Sequence, residues 1–280
     1  MVASDNEVYE ARADAGRARA LAATGSPFTI TIRFGGGLTA RQKAVFRAAA
    51  NRWTRVIVGD LPPQRVGGQV IDDVLIIAQG VPIDGPGKIL GQAGPTHLRP
   101  ASAGAAAFLP ARGVMSFDTA DLARMQADGT LRDVITHEMG HVLGIGSIWA
   151  RKGLLKGAGS RNPTFAGPRA MEEYRRLRRM SRRRRVPVEN TGGPGSRDSH
   201  WRERVFRNEL MSSVIAGARN PLSRLTVASL GDLGYQVDLG AAEPFRLPPA
   251  AAVAEAGGPV ARRGTLAGGI VLPVIPTVLE

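Results

Sequence analysis

The segment TLRDVITHEMGHVLGIGS, residues 130–147, constrains the fold more than any other stretch of this 280-residue chain. Thr130 and Asp133 have the spacing of a capping box, which predicts a helix over LRDVITHEMGHVLG. On a helix His137 and His141 stand four residues apart, so both imidazoles leave one face and can reach a single metal ion. Glu138 is displaced around the axis and falls beside such an ion, where a carboxylate can take a proton from water. The fold must therefore present this helix face to a further ligand, because two imidazoles leave a site incomplete.

The chain has no cysteine, so that ligand is a histidine or a carboxylate and no disulfide supports the fold. Ser147, three residues past Gly144, is a poor neutral ligand. Of four histidines, two lie on the helix. His97 sits in GPTHLRP between Pro95 and Pro100 and reads as an ordinary loop histidine. His200 sits in SHWRERVFRNELMS, with Met211 eleven residues on, and Glu172 and Glu173 lie in a helical patch, RAMEEYRRL. From the residues alone the third ligand stays open between His200 and these glutamates.

Net charge is +13, which invites a nucleic-acid role, but eight arginines are concentrated in RRLRRMSRRRR, residues 175–185. Without that run the balance is about +5, and a run of like charge reads as a solvated surface. The first 28 residues hold four acidic side chains and lack the apolar run of a secretory signal. No stretch approaches the roughly 20 apolar residues of a membrane span, and the chain reads as soluble.

Residues 1–25 read as a polar lead-in, helical or frayed. FTITIRF, 28–34, alternates as a strand with one buried face, and from Thr39 the residues Val45, Phe46, Ala49, Trp53, Val56 and Ile57 recur at helical spacing until LPP, 61–63. VLIIA, 74–78, is a continuous apolar run, as in a strand covered on both sides, and GVMSFD, 113–118, reads as another strand. Strands and helices are interspersed, which points to a mixed α/β layer. LTVASLGDLGY, 225–235, reads as a last helix stopped by Gly234, and the Ala/Pro/Gly-rich 241–280 as a tail outside the core.

HEMGHVLG is similar to the start of the metzincin motif HExxHxxGxxH, whose Gly turns the chain out of the helix. HEMGHVLGIGSIW, a long gap, then SHWRERVFRNELMS and NPLSRLTVASLGDLGY together resemble the leishmanolysin family of zinc metalloendopeptidases, in its bacterial form. The likeness also takes in FTITIRFGGGLTARQKAVFRAAANRWTRVIVGDLP and runs to about Asp238. It implies an α+β, metzincin-like fold: a mixed twisted sheet with the active-site helix in an N-terminal subdomain, and a mostly irregular C-terminal subdomain. It further implies one catalytic zinc on His137, His141 and His200, with Glu138 as general base and Met211 in a methionine-bearing turn beneath. The catalytic domain would be 26–240, with residues 142–199 inserted between the second and third ligands. IDGPGKILGQA resembles the edge-strand segment of the related matrixins, so Ile89, Leu90, Gly91, Gln92 and Ala93 would pair with an extended peptide substrate. The matrixins' second, structural zinc is not carried over, because Gln92 stands where they have a histidine. Trp149 and Trp201 flank the insertion and are expected to pin its ends.

Overall fold

Alternation in TITIRF makes β2 (Thr29–Phe34), which buries Ile30, Ile32 and Phe34 on one face. The computed structural model of the protein describes residues 7–85, 87, 90–193, 195–215, 219–248, 265–266, 270–271 and 275–280. Ile89 lies outside them. β1 (Val8–Arg12) pairs antiparallel with β2, so the expected lead-in contributes an edge strand before α1 (Ala15–Ala22). Pairing with β2 satisfies a row of backbone groups that this short polar segment could not satisfy alone.

α2 (Ala40–Thr54) opens on a full capping box between Thr39 and Gln42. It ends at Thr54, short of the LPP segment, while Val56 and Ile57 are buried just beyond it. After the hairpin β3 (Gln64–Val66) and β4 (Gln69–Ile71) come β5 (Val74–Val81), β6 (Gly91–Leu98) and β7 (Pro110–Asp118). β5 is covered on both faces: Ile76 and Ala78 join the main core, while Leu75 packs with Val66, Ile71 and Leu279 on the other side. α3 (Thr119–Asp128) and α4 (Leu131–Val142) follow, then β8 (Leu155–Lys156), β9 (Thr164–Phe165), α5 (Pro168–Leu177), β10 (Val186–Pro187) and α6 (Glu203–Phe206). β11 (Val214–Ile215), α7 (Arg224–Leu233), β12 (Thr265–Leu266), β13 (Ile270–Val271) and β14 (Thr277–Val278) complete the order.

The main sheet runs β1-β2-β5-β7-β6-β13, with β14 also on β6. β2, β5 and β7 are mutually parallel and β6 is antiparallel to β7, so the sheet is mixed and the chain is α+β. α2 and α4 pack on each other, α2 over β1 and β2, α4 over β6 and β7. Trp53 donates its indole N–H to the Thr136 carbonyl at 2.9 Å, and the buried Arg52 pairs with Asp133 at 3.2 Å. The expected capping box of α4 does not form, because the Asp133 carboxylate is taken by Arg52 and Asn220. His97 lies in β6 and not in a loop, with Pro95 tolerated where the β6–β7 register shifts just beyond it.

The stretch between His141 and His200 is stitched by the small sheet β8-β9-β10, and α5 packs on α7. Trp149 and Trp201 meet at 4.7 Å between ring centroids, both fully buried, and so hold together the two ends of the stretch between His141 and His200. The arginine run is exposed from Arg182 to Arg185, although Arg175, Arg176 and Arg183 gather on Glu172. Beyond α7, Phe245 and Leu247 pack on the core and Glu243 pairs with Arg52, so the first part of the expected tail belongs to the folded body. Among the described residues no helix is long and apolar enough to cross a membrane.

Candidate metal centre

α4 carries His137 and His141 on one face, as their spacing requires. It stops after Val142, and Gly144 leaves the helix at a φ of 107°, the turn expected of it. Two residues on, Gly146 has a φ of 75°, and a Cβ there would lie 2.1 Å from the Ser199 carbonyl oxygen. That contact is possible only for glycine, and it draws the segment bearing His200 against the end of α4. Ser147 donates to the His141 carbonyl at 2.7 Å, so it caps the helix end and does not reach the histidine rings.

Three imidazoles converge as a result. Their Nε2 atoms stand 3.0 Å (His137 to His200), 3.1 Å (His141 to His137) and 3.0 Å (His141 to His200) apart. Each Nδ1 faces a backbone carbonyl: His137 that of Leu210 at 2.6 Å, His141 that of Ile145 at 2.7 Å, His200 that of Ser196 at 2.9 Å. A carbonyl only accepts, so each Nδ1 carries the proton and each Nε2 presents a lone pair to the other two. Three lone pairs facing one another in a buried space repel unless a cation lies among them. The separations suit ligands at about 2.0–2.1 Å from one ion, so the donor set fits a divalent metal. Among the described residues only His200 joins the helix pair in this way; Glu172 and Glu173 are engaged by arginines on α5 and α7.

Glu138 is fully buried, its nearest carboxylate oxygen 4.0 Å from the His137 Nε2, and neither oxygen has a hydrogen-bond partner. Burial pushes its carboxyl well above the usual range. Burial likewise holds the His141 ring down to about 3 and the His200 ring to about 4, and puts that of His137 well below 6.5. In the metal-free chain, the unfolded state takes up protons on these rings below about pH 6.5 while the folded state refuses them. These rings therefore contribute stability that is lost as pH drops from 6.5 towards 4, while buried carboxyls raised by desolvation, Glu138, Asp73 (to about 6) and Glu203 (to about 7), shift stability the other way. Titration of the imidazole resonances of chelator-treated protein checks the rings: all three are expected to stay neutral in the folded protein at pH 5, and protonation there would contradict it.

Met211 lies under the histidine cluster, fully buried, its sulfur placed where a side chain on Gly140 would stand. Its role is packing. Glu209, which no sequence motif singles out, fastens this turn. Its carboxylate accepts from the Met211 N–H at 2.7 Å, from Ser223 Oγ at 2.5 Å and from Thr226 Oγ1 at 2.5 Å, while Trp201 donates to Thr226 at 2.8 Å. Leu210, between Glu209 and Met211, supplies the carbonyl that orients His137. The available signal was an acid in ELM ahead of the Ser and Thr that open α7. Glu209→Gln puts an amide donor among these donors, and is expected to weaken divalent-metal affinity about 10- to 100-fold. Titration against a chelating dye reads it, and unchanged affinity would disconnect Glu209 from the site.

Leu90, Gly91, Gln92 and Ala93 run into β6 beside α4, on the side of the sheet's edge, while His97 lies further along the same strand and apart from the cluster.

The model of the leishmanolysin family matches residues 60–253. The chain is 32% identical to leishmanolysin of Leishmania major over 142 residues, which is 48% of this chain and 23% of that protein. It is 33% identical to leishmanolysin of Leishmania chagasi over the same length and shares, and 38% identical to a leishmanolysin-like peptidase of Caenorhabditis elegans over 78 residues, 27% of this chain and 12% of that one. The aligned part thus spans about a quarter or less of those relatives' length. With the family match covering most of the sequence and the trihistidine cluster inside it, the chain belongs to the leishmanolysin family of metallopeptidases.

Proposed function

We propose that the chain is a zinc-dependent endopeptidase whose metal is held by His137, His141 and His200 and whose general base is Glu138. The observation that carries this reading is the triangle of Nε2 atoms 3.0–3.1 Å apart, all committed as acceptors, beside a buried carboxylate with no partner. When bound there, zinc supplies Lewis-acid chemistry: it lowers the pKa of water towards ~7 and supports negative charge on a peptide oxygen.

This chain's residues do the rest. The substrate lies extended with its main chain against the start of β6, Leu90 to Ala93, so that backbone pairing holds it whatever its sequence. Glu138 accepts the proton of water as it attacks the carbonyl carbon and passes it to the leaving amine nitrogen. Ser212, Ser213 and Val214 follow Met211, with no tyrosine there to donate to the oxyanion. β11, just beyond and next to the bridge between Ser212 and Trp201, is the second wall of the cleft in this reading and would shape the pocket beside the metal. Residues 26–240, including the insertion 142–199, are the catalytic unit in this reading.

Chelation is expected to abolish cleavage of an unfolded protein substrate, and one equivalent of zinc to restore it. Cleavage that survives chelation, or a chain that takes up no zinc, would overturn the proposal.

A further inference from the structure

Both walls of the proposed cleft are already paired with the chain's own C-terminal part. β12 lies antiparallel on β11, with Val214 opposite Leu266 and Ile215 opposite Thr265. β13 lies parallel on the outer edge of β6, with Ile270 opposite Gly91 and Val271 opposite Gln92. These are the strand three residues past Met211 and the edge proposed to hold the substrate's main chain. Ser212, at the root of β11, bridges to Trp201 next to His200, and β6 packs on α4, which carries His137 and His141, so each wall adjoins an element that bears part of the trihistidine cluster. Leu266 and Ile270 are four residue steps apart, a reach of about 14 Å at most.

Two further observations agree. His137, Glu138 and His200 are 0% exposed and His141 is 3% exposed, so no face of the reacting groups is open to an incoming peptide. The family match ends at residue 253, so this segment lies outside the matched stretch.

We infer that β12 (Thr265–Leu266) and β13 (Ile270–Val271) are intramolecular occupants of the substrate cleft, holding the enzyme closed by strand pairing with β11 and β6 until they are displaced. This rests on the peptidase reading of the same site. An edge strand offers one row of outward N–H and C=O groups, and a segment paired there excludes a second one. Bound in cis, it competes at high effective concentration, and an external peptide sees only the released fraction of molecules. β14, paired with His97 and Leu98 farther along β6, anchors the segment from its other end, with Leu279 donating to the Leu98 carbonyl at 2.9 Å.

The test compares the full chain with the double variant Ile270→Pro, Val271→Pro. Proline has no N–H to give a ladder, and β14 and Leu279 are left in place. Zinc per chain is expected to stay the same. Amide exchange at residues 91–92 and 214–215 should be slow in the full chain and faster in the variant. Cleavage of a quenched fluorescent peptide should rise at least about tenfold in kcat/KM, and a synthetic peptide of residues 264–273, GTLAGGIVLP, should inhibit the variant competitively. Equal amide exchange and equal cleavage in the two proteins would overturn the inference. If protection is lost but neither zinc-loaded protein cleaves anything, the occupied cleft stands and the peptidase reading falls. A chain stopped after Pro248 gives a second release variant; it should match the proline variant in exchange at 214–215, and slow exchange there would overturn the inference as well.

Discussion

Replacing His200 with alanine is expected to yield a chain that purifies with almost no zinc, while the unaltered protein carries about one ion. The remaining pair on α4 would hold a metal through two imidazoles alone. Loss of an outer partner of a ligand already weakens metal sites 10- to 100-fold, so loss of a ligand should cost at least about 100-fold. The effect should be local: the His200 ring is fully buried but bonds only to the Ser196 carbonyl and Ser199 hydroxyl, both in its own turn. Metal content of the two proteins, prepared side by side without added zinc, decides it. Equal content would return the third ligand to a carboxylate. Glu172 would then have to abandon Arg175, Arg176 and Arg183, whose hydrogen bonds hold its carboxyl down to about 2.

Glu138→Gln should do the opposite, keeping the metal and losing the reaction. The glutamine fills the same buried space and touches none of the Nδ1 contacts that orient the histidines, so zinc content should be unchanged. It has no basic oxygen to take a proton, and general-base catalysis of this kind is worth about 10²- to 10⁴-fold. Single-turnover cleavage by zinc-loaded protein, measured in a background where the cleft is open, should fall by that factor. Cleavage at the original rate would place the proton acceptor elsewhere.

Much of the frame was legible because local patterns and tertiary demands agreed. The alternation in TITIRF and the unbroken VLIIA run became β2 and β5, one half-buried and the other covered on both faces. α2 began at Thr39 and α7 stopped at Gly234, where cap chemistry put them. Where local pattern and tertiary demand diverged, the sequence misled. Thr130 and Asp133 look like a capping box, yet a buried guanidinium from α2 outbids a helix N–H for the Asp133 carboxylate. VYEAR has the composition of a helix but forms a strand, because the free edge of β2 offers it partners.

The sequence by itself determined that two imidazoles and a carboxylate share a helix, since four residues on a 3.6-residue repeat return to the same face. The lack of cysteine set the chemistry of any ligand, and the glycine after the second histidine set the turn. The choice of His200 belonged to the tertiary structure. It lies 59 positions beyond His141, and no local rule spans such a gap; Gly146 against the Ser199 carbonyl and Glu209 beneath the Leu210 carbonyl close it. The same holds for the C-terminal strands. Their residues are unremarkable in composition, and only the unpaired edges of β6 and β11 give them a place, because a strand is completed by its neighbour and not by itself.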